Sequence, residues 1–404
     1  MSNSWLQCDW CGSQFDVAPM FFGCPHCAQT RRKRPLEMAY AIDTLQPETS
    51  AGVWRWAALL PPVDSDRRVT LYEGSTPLVP IDLPGVNATT YLKNETSNPT
   101  WSWKDRPNAV SISMARQFGL RRVTARSTGN HGNSAAAYAA RAGLEATILC
   151  HADTAELQLA LMESYGARVI RGGSQDKIIN HMVREQGYFP STVLCPRTGY
   201  SNPFGVEGFK TIAFEIVDAL AGSAPDRVFI PAGSGDGAYG IWKGFREMAA
   251  RKQISAAPRI VACQPRGANS ASLAWKKRQN HVEPLPQVIT DALSVAERAT
   301  GDHALRAVYE SRGEFREASE PEIVEAALAL RRTGFAVELA SALPYACALQ
   351  SEVPSDSSKH EVWVLIGSGA VVKWPDTILG GYFKPVMLGS EVEKVEVRAQ
   401  WTRL

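Results

Sequence analysis

The chain has 404 residues, 45% of them hydrophobic, with 43 basic against 41 acidic side chains and a net charge of +2. That length and apolar content support one large core or two medium ones, and the near balance of charge argues against a broadly basic nucleic-acid surface. No apolar run is long enough to span a bilayer and no secretory leader is present, so a reducing cytoplasm is the expected setting.

At the amino end, Cys8-x-x-Cys11 and Cys24-Pro25-His26-Cys27 form two knuckles with twelve residues between them. Paired thiolates at this spacing close a tetrahedral site with no open position, so a structural Zn2+ is expected at Cys8, Cys11, Cys24 and Cys27. Disulfide or redox use is the rival. It is disfavoured because the other four cysteines, Cys150, Cys195, Cys263 and Cys347, are scattered singly. The basic run 31–34 reads as a solvated linker. Trp54 and Trp56, with Leu59 and Leu60, read as a helical lead-in that packs into a core.

The stretch Asn98-Pro99-Thr100-Trp101-Ser102-Trp103-Lys104-Asp105-Arg106 places a lysine just after a rigid turn. At a strand-to-helix corner, such an amine faces a cleft and can form a Schiff base if burial or a nearby charge lowers its pKa. Trp101 and Trp103 flank Ser102, so an extended segment would put both on one face, with a pocket role for at least one. Downstream, the apolar run near Val123 leads into Ser127-Thr128-Gly129-Asn130-His131-Gly132, then an Ala-rich helix. A polar loop at a strand's carboxyl end, opening onto a helix N-terminus, is where α/β sheets bind ligands. The buried-strand run 228–232 precedes Gly233-Ser234-Gly235-Asp236-Gly237 and another helix. Backbone N–H groups in such a loop can converge on an anion. It lacks the Lys-Ser/Thr ending of a nucleotide P-loop. Asp236 reads as a loop or helix-cap residue. Helical patterns at 114–119, 157–166 and 323–333 alternate with short strands at 146–149, 168–170 and 259–262. This alternation predicts an α/β protein with parallel sheets.

A reactive lysine, an Asn loop and a phosphate cup, in that order, resemble the pyridoxal-phosphate enzymes of the tryptophan-synthase-β fold (fold type II), threonine synthases above all. The resemblance starts at Glu73-Gly74-Ser75-Thr76-Pro77-Leu78 and takes in Glu207-Gly208-Phe209-Lys210-Thr211 and Trp242-Lys243-Gly244-Phe245. It ends at Gly367-Ser368-Gly369 and so covers nearly all the chain after about residue 70. It implies two doubly wound α/β domains with pyridoxal 5'-phosphate in the cleft between them, behind an N-terminal zinc ribbon. The expected boundaries are 1–35 for the ribbon, 108–198 for the small domain, and 36–107 with 199–404 for the large one. By resemblance Lys104 bears the cofactor, Asn130 bonds its ring hydroxyl, and the Gly233, Ser234, Gly235, Asp236 and Gly237 loop holds its phosphate. Thr100, Trp101, Ser127, Thr128, Gly129 and His131 would meet the substrate. A homodimer is expected, with no nucleic-acid or membrane partner.

Three departures shape the functional expectation. Threonine synthases usually read Asn-Pro-Thr-Gly-Ser-Phe-Lys-Asp, where this chain has Trp101 for the glycine and Trp103 for the phenylalanine. Their Asn-Ser-Val-Asn-Pro-x-Arg substrate-phosphate grip is Gly199-Tyr200-Ser201-Asn202-Pro203-Phe204-Gly205 here, so the arginine is Gly205. The Thr or Ser that meets the pyridine nitrogen aligns with Ile366, with Ser368 two residues on. The expectation is a lyase or synthase performing elimination or replacement at Cβ or Cγ of an amino acid other than O-phosphohomoserine. A threonine synthase with a rearranged grip, using Arg197 or His131, and a catalytically retired fold that binds partners through its ribbon are the alternatives.

Overall fold

The computed structural model describes residues 3–28, 35–41, 47–191, 202–283, 301–352 and 360–374. The linker 31–34, Arg197, Gly199, Tyr200 and Ser201 lie outside the described residues. At the amino end, β1 (Ser4–Cys8) pairs antiparallel with β2 (Gln14–Phe15) and with β3 (Leu36–Tyr40). Cys8 closes β1 opposite Leu36, so the ribbon's sheet takes in a strand beyond the boundary expected at residue 35. A 3-10 segment, Gly52–Leu59, then buries Trp54 and Trp56 in two different cores.

Next come β4 (Leu78–Pro80), β5 (Ala88–Asn94) and α1 (Asp105–Gln117). A four-stranded unit follows: β6 (Arg122–Arg126), α2 (Asn130–Ala142), β7 (Glu145–Cys150), α3 (Glu156–Ser164), β8 (Arg168–Arg171), α4 (Gln175–Glu185) and β9 (Phe189–Pro190). Its strands are parallel in the order β8-β7-β6-β9. The chain then runs through α5 (Lys210–Ala219), β10 (Arg227–Pro231), α6 (Asp236–Ala250), β11 (Arg259–Pro265), α7 (Ser270–Lys276) and α8 (Asp302–Glu310). It continues with β12 (Glu314–Ala318), α9 (Glu320–Arg332), α10 (Leu339–Leu349) and β13 (Glu361–Gly367).

These later strands join β5 and β4 in a six-stranded sheet, β12-β11-β10-β13-β5-β4, parallel except for the β4 edge. Every residue of β10 is buried, as a central strand covered on both faces requires. Val228, Ile230, Val364 and Ile366 pack on the face that carries α5, α6 and α8. Phe229, Trp363 and Leu365 pack against α9 and α10 on the other. The lysine turn, the Asn loop, the glycine loop and Ser368 follow the carboxyl ends of β5, β6, β10 and β13 respectively, the edge where open α/β sheets bind ligands.

Candidate active site

Lys104 is the N-cap residue of α1, and both of its flanks are clamped. The Thr100 hydroxyl and backbone N–H donate to the buried Asp105 carboxylate at 2.5 and 2.7 Å. Arg106, fully buried, donates to Glu95 at 2.7 and 2.8 Å and to Glu215 at 2.7 Å through each of two nitrogens. The Lys104 amine lies 5.3 Å from the ring centroids of both Trp103 and Phe209. Burial lowers its pKa, against the opposing pull of Asp236 and Glu338. A partly desolvated amine in an aromatic corner is what a Schiff-base lysine needs.

The two tryptophans do not share a face, contrary to the expectation from alternation. Trp101 has φ +60° and is 41% exposed, so the chain turns there instead of extending. The left-handed backbone that a glycine would take freely is kept, although the side chain is the largest available. Trp103 is buried, stacked edge-on against Phe209 at 5.0 Å, and lies so close to Gly237 that a Cβ there would overlap its ring.

In the Asn loop, Ser127 Oγ accepts from Gly129 N–H at 3.2 Å, Thr128 is half-buried, and Gly129 caps α2. Asn130 Nδ2 donates to both Glu338 carboxylate oxygens, at 2.9 and 3.0 Å. Its Oδ1 is buried without a partner among the described residues. His131 is buried with Nε2 3.3 Å from Ser191 Oγ; burial, reinforced by the Lys104 charge, pushes its pKa down to about 3. It is therefore a neutral ring.

The glycine loop ends at Gly235, whose φ of +92° turns the backbone into α6. Asp236 opens that helix, almost fully buried, with Oδ2 accepting from Ser234 and Oδ1 unpartnered among the described residues. Burial raises its pKa to about 6, although Lys104 and Ser234 pull the other way. Ser368 Oγ lies 3.0 Å from Ser341 Oγ, and Ile366, at the aligned hydroxyl position, is core. A fifteen-residue helix with its N-terminus at a glycine loop, a lowered lysine pKa, and orphaned Asn130 and Asp236 oxygens beside it fit pyridoxal phosphate.

The four knuckle thiols also converge. Their sulfurs all lie within 4.8 Å of one another, with Cys8–Cys27 at 3.9 Å and Cys11–Cys24 at 3.7 Å. Tetrahedral ligands at about 2.3 Å from a metal lie about 3.8 Å apart, so the cluster is compatible with a bound ion.

The sequence profile of the family described as pyridoxal-phosphate dependent enzyme matches residues 69–369. The chain belongs to this family. It is 33% identical to the threonine synthase of Methanocaldococcus jannaschii over 402 residues, covering 95% of this chain and 96% of that one. Against the threonine synthase of Methanosarcina acetivorans it is 30% identical, over 96% and 97% of the two chains. Maize serine racemase superposes with a TM-score of 0.63 at 19% identity, over 76% of this chain and 91% of its own. An O-ureido-L-serine synthase gives 0.63 at 18% identity, over 80% and 98%. These superpositions show the shared fold, and the near full-length relatives make the chain a pyridoxal-phosphate-dependent lyase of the threonine-synthase type.

Several residues of this family member's cleft were missed in the sequence. Glu338 precedes α10 and reaches Asn130. Trp374 Nε1 donates to Glu338 at 2.8 Å, and its ring lies 3.0 Å from where a Cβ on Gly129 would be. Lys373 Nζ donates to Thr100 O at 2.6 Å. A detectable signal was available for Glu338: it is a lone acid between the apolar runs 335–337 and 339–340. Such a charge inside an apolar stretch is rarely buried without a task.

Proposed function

We propose that Lys104 carries pyridoxal phosphate and that the enzyme performs elimination or replacement on an amino acid whose leaving group carries less charge than a phosphate. The observation that supports this substrate choice most is Gly205, at the arginine position of the threonine-synthase grip. A Cβ there would overlap Ser111 Oγ of α1, and Asn202 Oδ1 accepts from the Phe204 and Gly205 N–H groups at 2.9 and 3.3 Å. Gly205 thus packs against α1 and offers no cation to a substrate phosphate. The charges that act on Lys104 are the acids Asp236 and Glu338, which would oppose a second phosphate dianion beside that of the cofactor.

When bound, the cofactor supplies an electron sink for negative charge developing at the substrate's Cα. Lys104 holds it, and the freed amine takes the Cα proton; a lowered pKa keeps part of that amine unprotonated. The Gly233–Gly237 backbone and the α6 N-terminus hold the phosphate. Asn130 meets the ring hydroxyl, and Ser368 or its partner Ser341 meets the ring nitrogen. Ser127, Thr128 and Gly129 receive the substrate carboxylate, with Thr100, Trp101, His131 and Trp374 around its side chain. Cys8, Cys11, Cys24 and Cys27 hold a structural zinc ion. A cytoplasmic homodimer completes the reading.

A threonine synthase with a rearranged grip is the second reading, favoured by the 33% and 30% identities to two threonine synthases. A spectral screen tests the proposal. Purified protein is mixed with O-phosphohomoserine, O-phosphoserine, O-acetylserine, serine, threonine and homoserine derivatives, and changes in cofactor absorbance are followed. A response to an uncharged side chain with none to O-phosphohomoserine supports the reading; the reverse pattern overturns it.

A further inference from the structure

We propose that Glu338 is a positioning residue that fixes which end of the Asn130 amide faces the cofactor. The proposal rests on the reading that Asn130 meets the ring hydroxyl. Asn130 is the first residue of α2 and Glu338 the residue before α10, so their contact joins the two sides of the cleft. Both carboxylate oxygens take the same amide nitrogen, at 2.9 and 3.0 Å, which leaves Oδ1, buried and without a partner among the described residues, as the end free to meet a ligand.

Glu338 is itself held firmly. Trp374 Nε1 donates to Oε2 at 2.8 Å, the Glu338 N–H donates to Gly369 O at 3.1 Å, and a Cβ on Gly369 would come within 2.6 Å of Oε1. The acid is 7% exposed; burial pushes its pKa up, while the Lys373 charge, the Asn130 and Trp374 hydrogen bonds and the Lys104 charge oppose this and favour the carboxylate. A carboxyl fixed on so many sides leaves the Asn130 amide little freedom to rotate.

The chemical consequence follows from the donor and acceptor inventory of an amide. A carboxylate only accepts, so it holds Nδ2 and turns the acceptor Oδ1 toward the cofactor, where it favours a protonated ring hydroxyl. A carboxylic acid would donate to Oδ1 and release Nδ2 to favour the phenolate. Without Glu338 the amide is free to present either end. Glu338 therefore influences the balance between the two ring forms without touching the cofactor.

The test uses full-length protein stripped of cofactor and titrated with pyridoxal phosphate, reading both affinity and the ratio of the near-ultraviolet to the visible band. Glu338→Ala should weaken cofactor binding about five-fold, the worth of one oriented hydrogen bond, and change the band ratio. Glu338→Gln keeps a hydrogen-bonding group in place and should bind within about two-fold of the parent. Its amide donates as well as accepts, so it no longer dictates which end of Asn130 it takes, and the band ratio should still change. Glu338→Asp, one methylene shorter, should move toward the alanine phenotype and serves if the alanine variant does not fold. In an Asn130→Ala background the Glu338→Ala effect should vanish, because the two act as one unit. Additive effects in that cycle, or an alanine variant equal to the parent in both readouts, overturn the proposal. Parent protein that takes up no cofactor, or takes it up at a lysine other than Lys104 as shown by borohydride trapping, overturns the underlying reading, and the proposal with it.

Discussion

Replacing Arg106 with methionine tests whether the lysine turn is anchored by buried charge. The guanidinium touches Glu95, Glu215, Thr76 and Thr211 and is fully buried, as is Glu95. Glu215 would survive its loss in part. Burial alone would raise its pKa, but Arg106 and Lys93 hold it at about 2, and Lys93 Nζ at 2.6 Å remains. Glu95 would keep the neutral donors Thr76 Oγ1 at 2.6 Å and Asn98 Nδ2 at 2.8 Å. A buried carboxylate stripped of its cation should cost about 3–5 kcal/mol, a large share of a typical domain's stability. Adding Glu95→Gln removes the orphaned charge and should recover on the order of 2 kcal/mol. Urea unfolding with an unchanged m-value measures both. A single variant that loses under about 1 kcal/mol, or a double variant no more stable than the single, refutes the anchoring argument.

Lys104→Ala should abolish turnover while leaving the urea midpoint near that of the parent, because a methyl group can neither hold the cofactor nor move a proton; any substantial turnover would contradict the assignment. Cys24→Ser should remove the metal and strip hydrogen-exchange protection from β1 and β3, while the cofactor stays bound through β10 and α6. Retained zinc by metal analysis would count against the site. His131 should make the fold acid-sensitive. Its folded pKa of about 3 lies below its ordinary 6.5, so the neutral ring's contribution is present above pH 6.5 and fades as pH falls toward 3. Full linkage gives an upper bound of about 5 kcal/mol. His131→Asn should flatten the stability loss between about pH 6 and pH 4 relative to the parent, and parallel curves would refute it.

What could be read from the sequence was what is local. The lysine turn, the Asn loop and the glycine loop are each short runs at a strand's carboxyl end, and the strands at 146–149, 168–170 and 259–262 fall within β7, β8 and β11. Glu338, Trp374 and Lys373 escaped because they meet the other cleft residues only once β13 pairs with β5 and α10 packs on that sheet. The alternation argument for Trp101 and Trp103 failed for a backbone reason. It presumed an extended segment, whereas the Trp101 carbonyl is held by Ala370 N–H at 2.9 Å in a left-handed turn. Strand parity sends Ile366, the residue at the expected hydroxyl position, into the core with Val364.

Steady-state kinetics with O-phosphohomoserine tests the central claim most directly. The Gly205 contact with Ser111 and the acids beside Lys104 predict that threonine formation from this substrate is slow, with kcat/KM far below about 10⁴ M⁻¹s⁻¹. An amino acid with an uncharged leaving group should be turned over faster. Threonine formation at or above that value would contradict the account and show that another cation has taken over the phosphate grip.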